Sequence, residues 1–125
     1  MKLLLALAAF VVLTSCAGSA PPEVSVTPGV VTVAISTPLP TGADIIIRIV
    51  EVSGPDRAVV GTRQAPAGAS EYPVEYRKAA VKPEQSYGLE IVATAEGKTI
   101  FLNKKPYYVL TRGNPDRVTV ELDRR

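Results

Sequence analysis

From Val30 to Leu122 no apolar period of 3.6 residues lasts three turns, so helices cannot build this domain. A period of two recurs instead. In Ser86–Ala95, SYGLEIVATA, the side chains of Tyr87, Leu89, Ile91, Ala93 and Ala95 fall on one face, and Glu90, Thr94 and then Glu96 on the other. Successive strand residues point to opposite faces, so this stretch reads as a strand with one buried side. EYPVEYR (71–77) alternates in the same way through Tyr72, Val74 and Tyr76. Pro73 cannot donate to a ladder, which predicts an edge position there. DIIIRIVEV (44–52) is apolar almost throughout and predicts a central, well-covered strand or a bulge that shifts the inward phase.

VVTVAIS (30–36), AVVGTR (58–63), KTIFL (98–102), YYVL (107–110) and VTVEL (118–122) complete the set, and Glu96-Gly97 makes a tight hairpin turn. Short strands between Gly/Pro turns predict an all-β domain. Its expected form is an antiparallel β-sandwich of about 7–8 strands, immunoglobulin-like in size, with a distorted barrel as the alternative.

The first residues belong to a different element. Lys2 precedes an apolar run, Leu3–Leu13, too short to span a bilayer but fitting the apolar region of a secretory signal. Leu13-Thr14-Ser15-Cys16 then resembles the lipobox of bacterial lipoproteins. That resemblance implies a lipid on the Cys16 sulfur and cleavage between Ser15 and Cys16. The expected division is a signal peptide at 1–15, a lipidated Cys and flexible tether at 16–29, and the β domain at 30–125. Two or three lipid chains hold a domain to a membrane essentially permanently.

Composition removes several functions. The chain has one Cys and no His, which excludes an internal disulfide, Ser-His-Asp and Cys-His catalysis, and disfavours a zinc site. No cofactor is expected. Basic and acidic side chains number 14 and 12, without long runs of either sign, so nucleic acid is not an expected partner. Gly97-Lys98-Thr99 echoes a phosphate-binding loop, but position 92 is Val where that loop needs Gly, and a strand follows. Glu71, Glu75, Glu90 and Asp116 read as solvated charge rather than an acid/base pair.

Two clusters remain. Tyr107 and Tyr108 are adjacent in a strand, so one faces the core and one the surface. Tyr108 with Lys104, Lys105 and Arg112 forms a candidate interaction surface. Gly113-Asn114-Pro115-Asp116 specifies a turn, since Gly113 admits positive φ and Pro115 holds Asn114 extended.

Val109-Leu110-Thr111-Arg112-Gly113-Asn114-Pro115-Asp116, followed by a last strand, resembles the C-terminal signature of the YbaY/YscW-like lipoproteins, the pilotin-like type III secretion lipoprotein chaperones. LPTGADIIIRIVEVS (39–53) and SYGLEIVATAEGKTIF (86–101) are similar to further segments of that family. The resemblance implies a lipid-anchored β-sandwich in the cell envelope, with no catalytic residues. It also implies a partner, a secretin-type subunit whose assembly it assists. Ala17 rather than Asp after Cys16 favours an outer membrane site facing the periplasm in a diderm host. The leading expectation is a non-enzymatic binding or chaperone role through a sheet face or edge. The alternative is a carbohydrate- or small-ligand-binding envelope module linked to polysaccharide metabolism.

Overall fold

The computed structural model describes residues 27–125. The signal segment, the Ser15–Cys16 cleavage site, the lipidated Cys16 and most of the tether therefore lie outside the described residues. Nine strands follow in order: β1 (Gly29–Ile35), β2 (Asp44–Glu51), β3 (Val59–Pro66), β4 (Tyr72–Tyr76), β5 (Tyr87–Ala95), β6 (Lys98–Leu102), β7 (Tyr108–Val109), β8 (Arg117–Val120) and β9 (Asp123–Arg124). Among the described residues the one helical element is a single 3₁₀ turn, Lys78–Ala80. The all-β expectation holds, and each predicted strand is present to within a few residues.

All nine strands join one hydrogen-bonded sheet in the order β8-β1-β4-β3-β2-β5-β6-β9, with β7 beside the start of β5. The sheet curls into a half-barrel. Its two halves face each other across one core, so Val31, Val33 and Val74 from β1 and β4 pack with Ile45, Ile47, Ile49 and Ile91 from β2 and β5. All seven are fully buried. Every pairing is antiparallel except β1 with β8, which is parallel from Thr32–Arg117 to Ile35–Val120.

β2 is both a central strand and a bulged one. It pairs along its whole length with β5, while its register against β3 shifts between Ile49 and Val50. Val50 and Glu51 are consequently both buried. β4 is not an outer strand as Pro73 suggested, for it lies between β1 and β3. It joins β3 at a single pair, Gly61–Tyr76. Pro73 is thus opposed by a ladder only on the β1 side, where it faces Thr32. The proline marks where the sheet splits rather than where it ends.

The two ends of the sheet, β8 and β9, are separated in the chain by only Glu121 and Leu122. The step from Val120 to Asp123 covers at most about 11 Å of extended chain, so the sheet must curl until its ends nearly meet. Side-chain hydroxyls close this seam. Thr37 Oγ1 accepts from the Leu122 N–H at 2.8 Å and donates to the Leu122 carbonyl. Tyr107 OH does the same for Glu121, accepting from its N–H at 3.0 Å and donating to its carbonyl. Leu122 is buried, as its place in VTVEL predicts.

The other end of the core is plugged by Tyr87, which is fully buried. Its hydroxyl accepts from the Lys82 N–H at 2.9 Å and donates toward Gln85 Oε1, fastening the segment after the 3₁₀ turn beneath the barrel.

Candidate functional site

Directly opposed residues in a sheet project from the same face. Gly88 of β5 stands opposite Val50 of β2 on one side and Tyr108 of β7 on the other, and Val50 opposes Val59 of β3. Val59, Val50, Gly88 and Tyr108 therefore make a transverse row across four strands on the face turned away from the core. Val59 is 42% exposed and Tyr108 47%, two of the three large apolar residues exposed to that degree among the described residues. Val50 and Gly88 between them are buried, so the exposed apolar surface lies at the two ends of the row, Val59 and Tyr108. The neighbouring row is polar: Thr62, Arg48 and Glu90. The Glu90 carboxylate is shared by Arg57 at 3.2 Å and Arg48 at 3.7 Å.

The loop between β6 and β7 shapes the surface next to this row. β5 pairs with β6 through Val92–Ala95 and with β7 through Tyr87–Gly88, which leaves its middle without a strand on that side. Asn103 fills the gap. Its Oδ1 accepts from the Ile91 N–H at 2.7 Å, and its Nδ2 donates to the Leu89 carbonyl at 2.9 Å. Lys104, Lys105 and Pro106 follow in the loop, outside the strands. They line a groove of about 260 Å³ together with Gly88, Val52 and Arg57. Tyr107 is half-buried and turns to the seam, whereas Tyr108 stands on the surface, the split expected of adjacent strand residues.

Beyond Tyr108 the backbone bends sharply. The Thr111 N–H donates to the Val109 carbonyl at 2.9 Å across Leu110, whose φ is +76°, a γ-turn of the rare strained form. Arg112 (φ +62°) and Gly113 (φ +79°) continue in the left-handed region. Asn114 closes the turn, its backbone N–H and its Nδ2 both donating to the Thr111 carbonyl. Pro115 and Asp116 lead into β8, and Asp116 acts through its backbone carbonyl, which accepts from the Thr32 N–H at 2.9 Å. The turn is docked through Thr111 Oγ1 on the Gln85 carbonyl and through Arg112 Nη1 on the Glu84 carbonyl.

This bend produces a second hollow of about 330 Å³, lined by Arg112, Asn114, Ser53 and Ser86 and sharing Val52 and Tyr108 with the first. The structure thus gathers Lys104, Lys105, Tyr108 and Arg112 around one surface, with Asn114 at its border. Strained non-glycine residues cluster at functional surfaces, and two of the four here, Arg57 and Arg112, line these hollows. Gly88, Val52, Arg57 and Asn103 belong to the same surface and were not singled out from the sequence. Gly88 had a signal, a glycine inside the best alternating strand of the chain. Asn103 had none, because its partners lie 12 and 14 residues away.

The carboxylates do not converge. Glu90 is held by its two arginines, and Glu71 pairs with Arg117 on β8 at 2.5 Å. Glu75 on β4 and Asp116 in the last turn are exposed. The buried acid is Glu51, and its carboxyl is held below the usual range chiefly by the Ser53 hydroxyl, with help from the Gly54 and Ser53 N–H groups and Arg57, against the opposing effect of burial. Ser53 Oγ also accepts from the Ser86 N–H at 3.1 Å, so this acid organises the loop after β2.

The fold has a solved counterpart. An alternative pilotin from the type II secretion system of Vibrio cholerae is similar over 79% of this chain and 98% of its own, with a TM-score of 0.71 at 18% identity. No curated protein matches the chain. The family model of the type III secretion system lipoprotein chaperone (YscW) matches residues 21–122, which include the whole of the sheet up to Leu122 and every residue of the surface just described. The chain therefore belongs to the family of type III secretion system lipoprotein chaperones.

Proposed function

We propose that this protein is a non-enzymatic, lipid-anchored chaperone of the cell envelope that binds a secretin-type subunit and assists its assembly. The observation that carries the reading is the family match across residues 21–122. The pilotin-like fold and the exposed Val59 and Tyr108 side chains, with Lys104 and Arg112 near Tyr108, are consistent with a protein-binding role. The lipobox at Leu13–Cys16 supports anchoring through Cys16, with the domain facing the periplasm from the outer membrane in a diderm host. Among the described residues no feature favours the carbohydrate-binding alternative, and the family match lends it no support. Pull-down of the full, lipidated chain from envelope extracts of its own host tests the proposal. Specific recovery of a secretin-type subunit, lost from the membrane fraction when Cys16→Ser is used, is the expected result. Recovery of no envelope protein contradicts it.

A further inference from the structure

Three glycines stand inside strands, and packing accounts for two of them. A Cβ on Gly29 would overlap the Tyr76 ring, and one on Gly61 would stand 2.5 Å from the Glu75 carbonyl oxygen. Gly88 has no such reason. A Cβ there would lie 3.5 Å from both the Tyr107 carbonyl and Val52 Cγ1, an ordinary contact distance, and Gly88 is not among the glycines with positive φ. Glycine weakens a strand interior, and where the fold does not require it, it often marks the close approach of a ligand. Its missing side chain leaves a notch in the first hollow, beside Val52 and Tyr108, the two residues that also line the second.

The charge around the notch is one-sided. Arg57, Lys104, Lys105 and Arg112 line the hollows, and Glu90 is the carboxylate among the lining residues. Glu90 is already shared between two arginines, and Lys105 reaches Glu121 at 3.7 Å. Among the described residues, no ion pair engages the Lys104 ammonium or the Arg112 guanidinium, although the Asp123 carboxylate accepts from the Lys104 backbone N–H at 3.1 Å.

We infer that the Gly88 notch is the anchor site for an acidic, apolar segment of the protein partner. One aliphatic or aromatic side chain of that segment seats over Gly88 beside Val52 and Tyr108, and flanking carboxylates meet Lys104 and Arg112. An anionic lipid headgroup would engage the cations but gain nothing from Val52 and Tyr108, so the observations favour a protein. Exposed aromatic and arginine side chains at the centre of such a surface carry most of the affinity, while the outlying charges set its rate and salt dependence. The inference rests on the secretin-type partner proposed above and names the chemistry of the segment it offers.

Tiled peptides spanning the host's secretin-type subunit, titrated against the full mature chain in detergent by fluorescence anisotropy, provide the test. The binding peptides should be acidic with apolar anchors, and should weaken at least about tenfold between about 50 mM and 500 mM salt. Gly88→Val fills the notch while suiting a strand. It should keep the thermal midpoint and cost at least about tenfold in affinity, as should Tyr108→Ser. Lys104→Glu should weaken acidic peptides by a similar factor. Peptides that bind equally to wild type and Gly88→Val, or that are basic, overturn the inference while leaving the secretin reading intact. Binding of phosphatidylglycerol vesicles that Gly88→Val and Tyr108→Ser leave unchanged, with no peptide bound, assigns the cations to lipid and also overturns it. If no peptide and no vesicle binds, the secretin reading fails and the inference falls with it.

Discussion

Asn103 does with one amide what a neighbouring strand would do with backbone. Replacing it by Ala leaves the Ile91 N–H and the Leu89 carbonyl without these partners, at a cost of about 1–3 kcal/mol. A fall in the urea midpoint of Asn103→Ala at unchanged m-value is the expected readout. Glu51 carries the pH dependence that the structure makes explicit. Its carboxyl is lowered from 4.5 in the fold, chiefly by Ser53, so folding favours the charged form. The resulting stabilisation is full above pH 4.5 and fades as the pH falls through the lowered value. Glu51→Gln should therefore lose stability near neutrality, and its thermal midpoint should converge on that of wild type as the pH falls through the lowered value. A constant gap across that range would contradict the assignment. At this scale the sequence shows which residues alternate, and it placed Tyr107 and Tyr108 on opposite sides. It cannot show that Asn103 reaches back across the loop or that Glu51 is buried, because both depend on where the bulge and the split fall.

The elements themselves were largely legible. Ile45, Ile47 and Ile49 are buried on the core face, and the bulge allowed for by the continuous apolar run lies between Ile49 and Val50. The Glu96-Gly97 turn is a two-residue hairpin with both φ angles positive, +53° and +76°, as tight antiparallel connections require. β4 was read too simply, because a strand with proline can sit inside a sheet where one side of the ladder is missing. The Gly61–Tyr76 pair and the adjacent bond from the Arg77 N–H to the Val60 carbonyl join β3 to β4. Gly61→Ala places a Cβ 2.5 Å from the Glu75 carbonyl and 2.9 Å from Tyr76 Cβ. That crowding should cost about 1–3 kcal/mol. It should also speed hydrogen exchange at the Arg77 N–H, which donates to the Val60 carbonyl at 3.2 Å. Slow exchange at Arg77 in the variant would show that the junction does not depend on that glycine.

For the whole molecule, strand content follows from the period of two, whereas strand order does not. β1 meets β8 in parallel across more than eighty residues of chain, a pairing no local pattern records. The curl is completed by Leu122, Thr37 and Tyr107 at the seam. Leu122→Ala should lower stability by about 2–5 kcal/mol, read as a loss of thermal midpoint. A shift within error would mean that the ends of the sheet stay together without it. Tyr107, whose hydroxyl bonds Glu121 at the seam, precedes Tyr108 in the chain, and its carbonyl borders the notch at Gly88. The most direct measurement of the account is the amount of assembled secretin-type multimer in outer membranes of the native host carrying Gly88→Val in the otherwise intact, lipid-anchored chain. A normal level of stable variant protein, with multimers reduced to the level of a strain lacking the gene, is the predicted result. Wild-type multimer in both strains would contradict it.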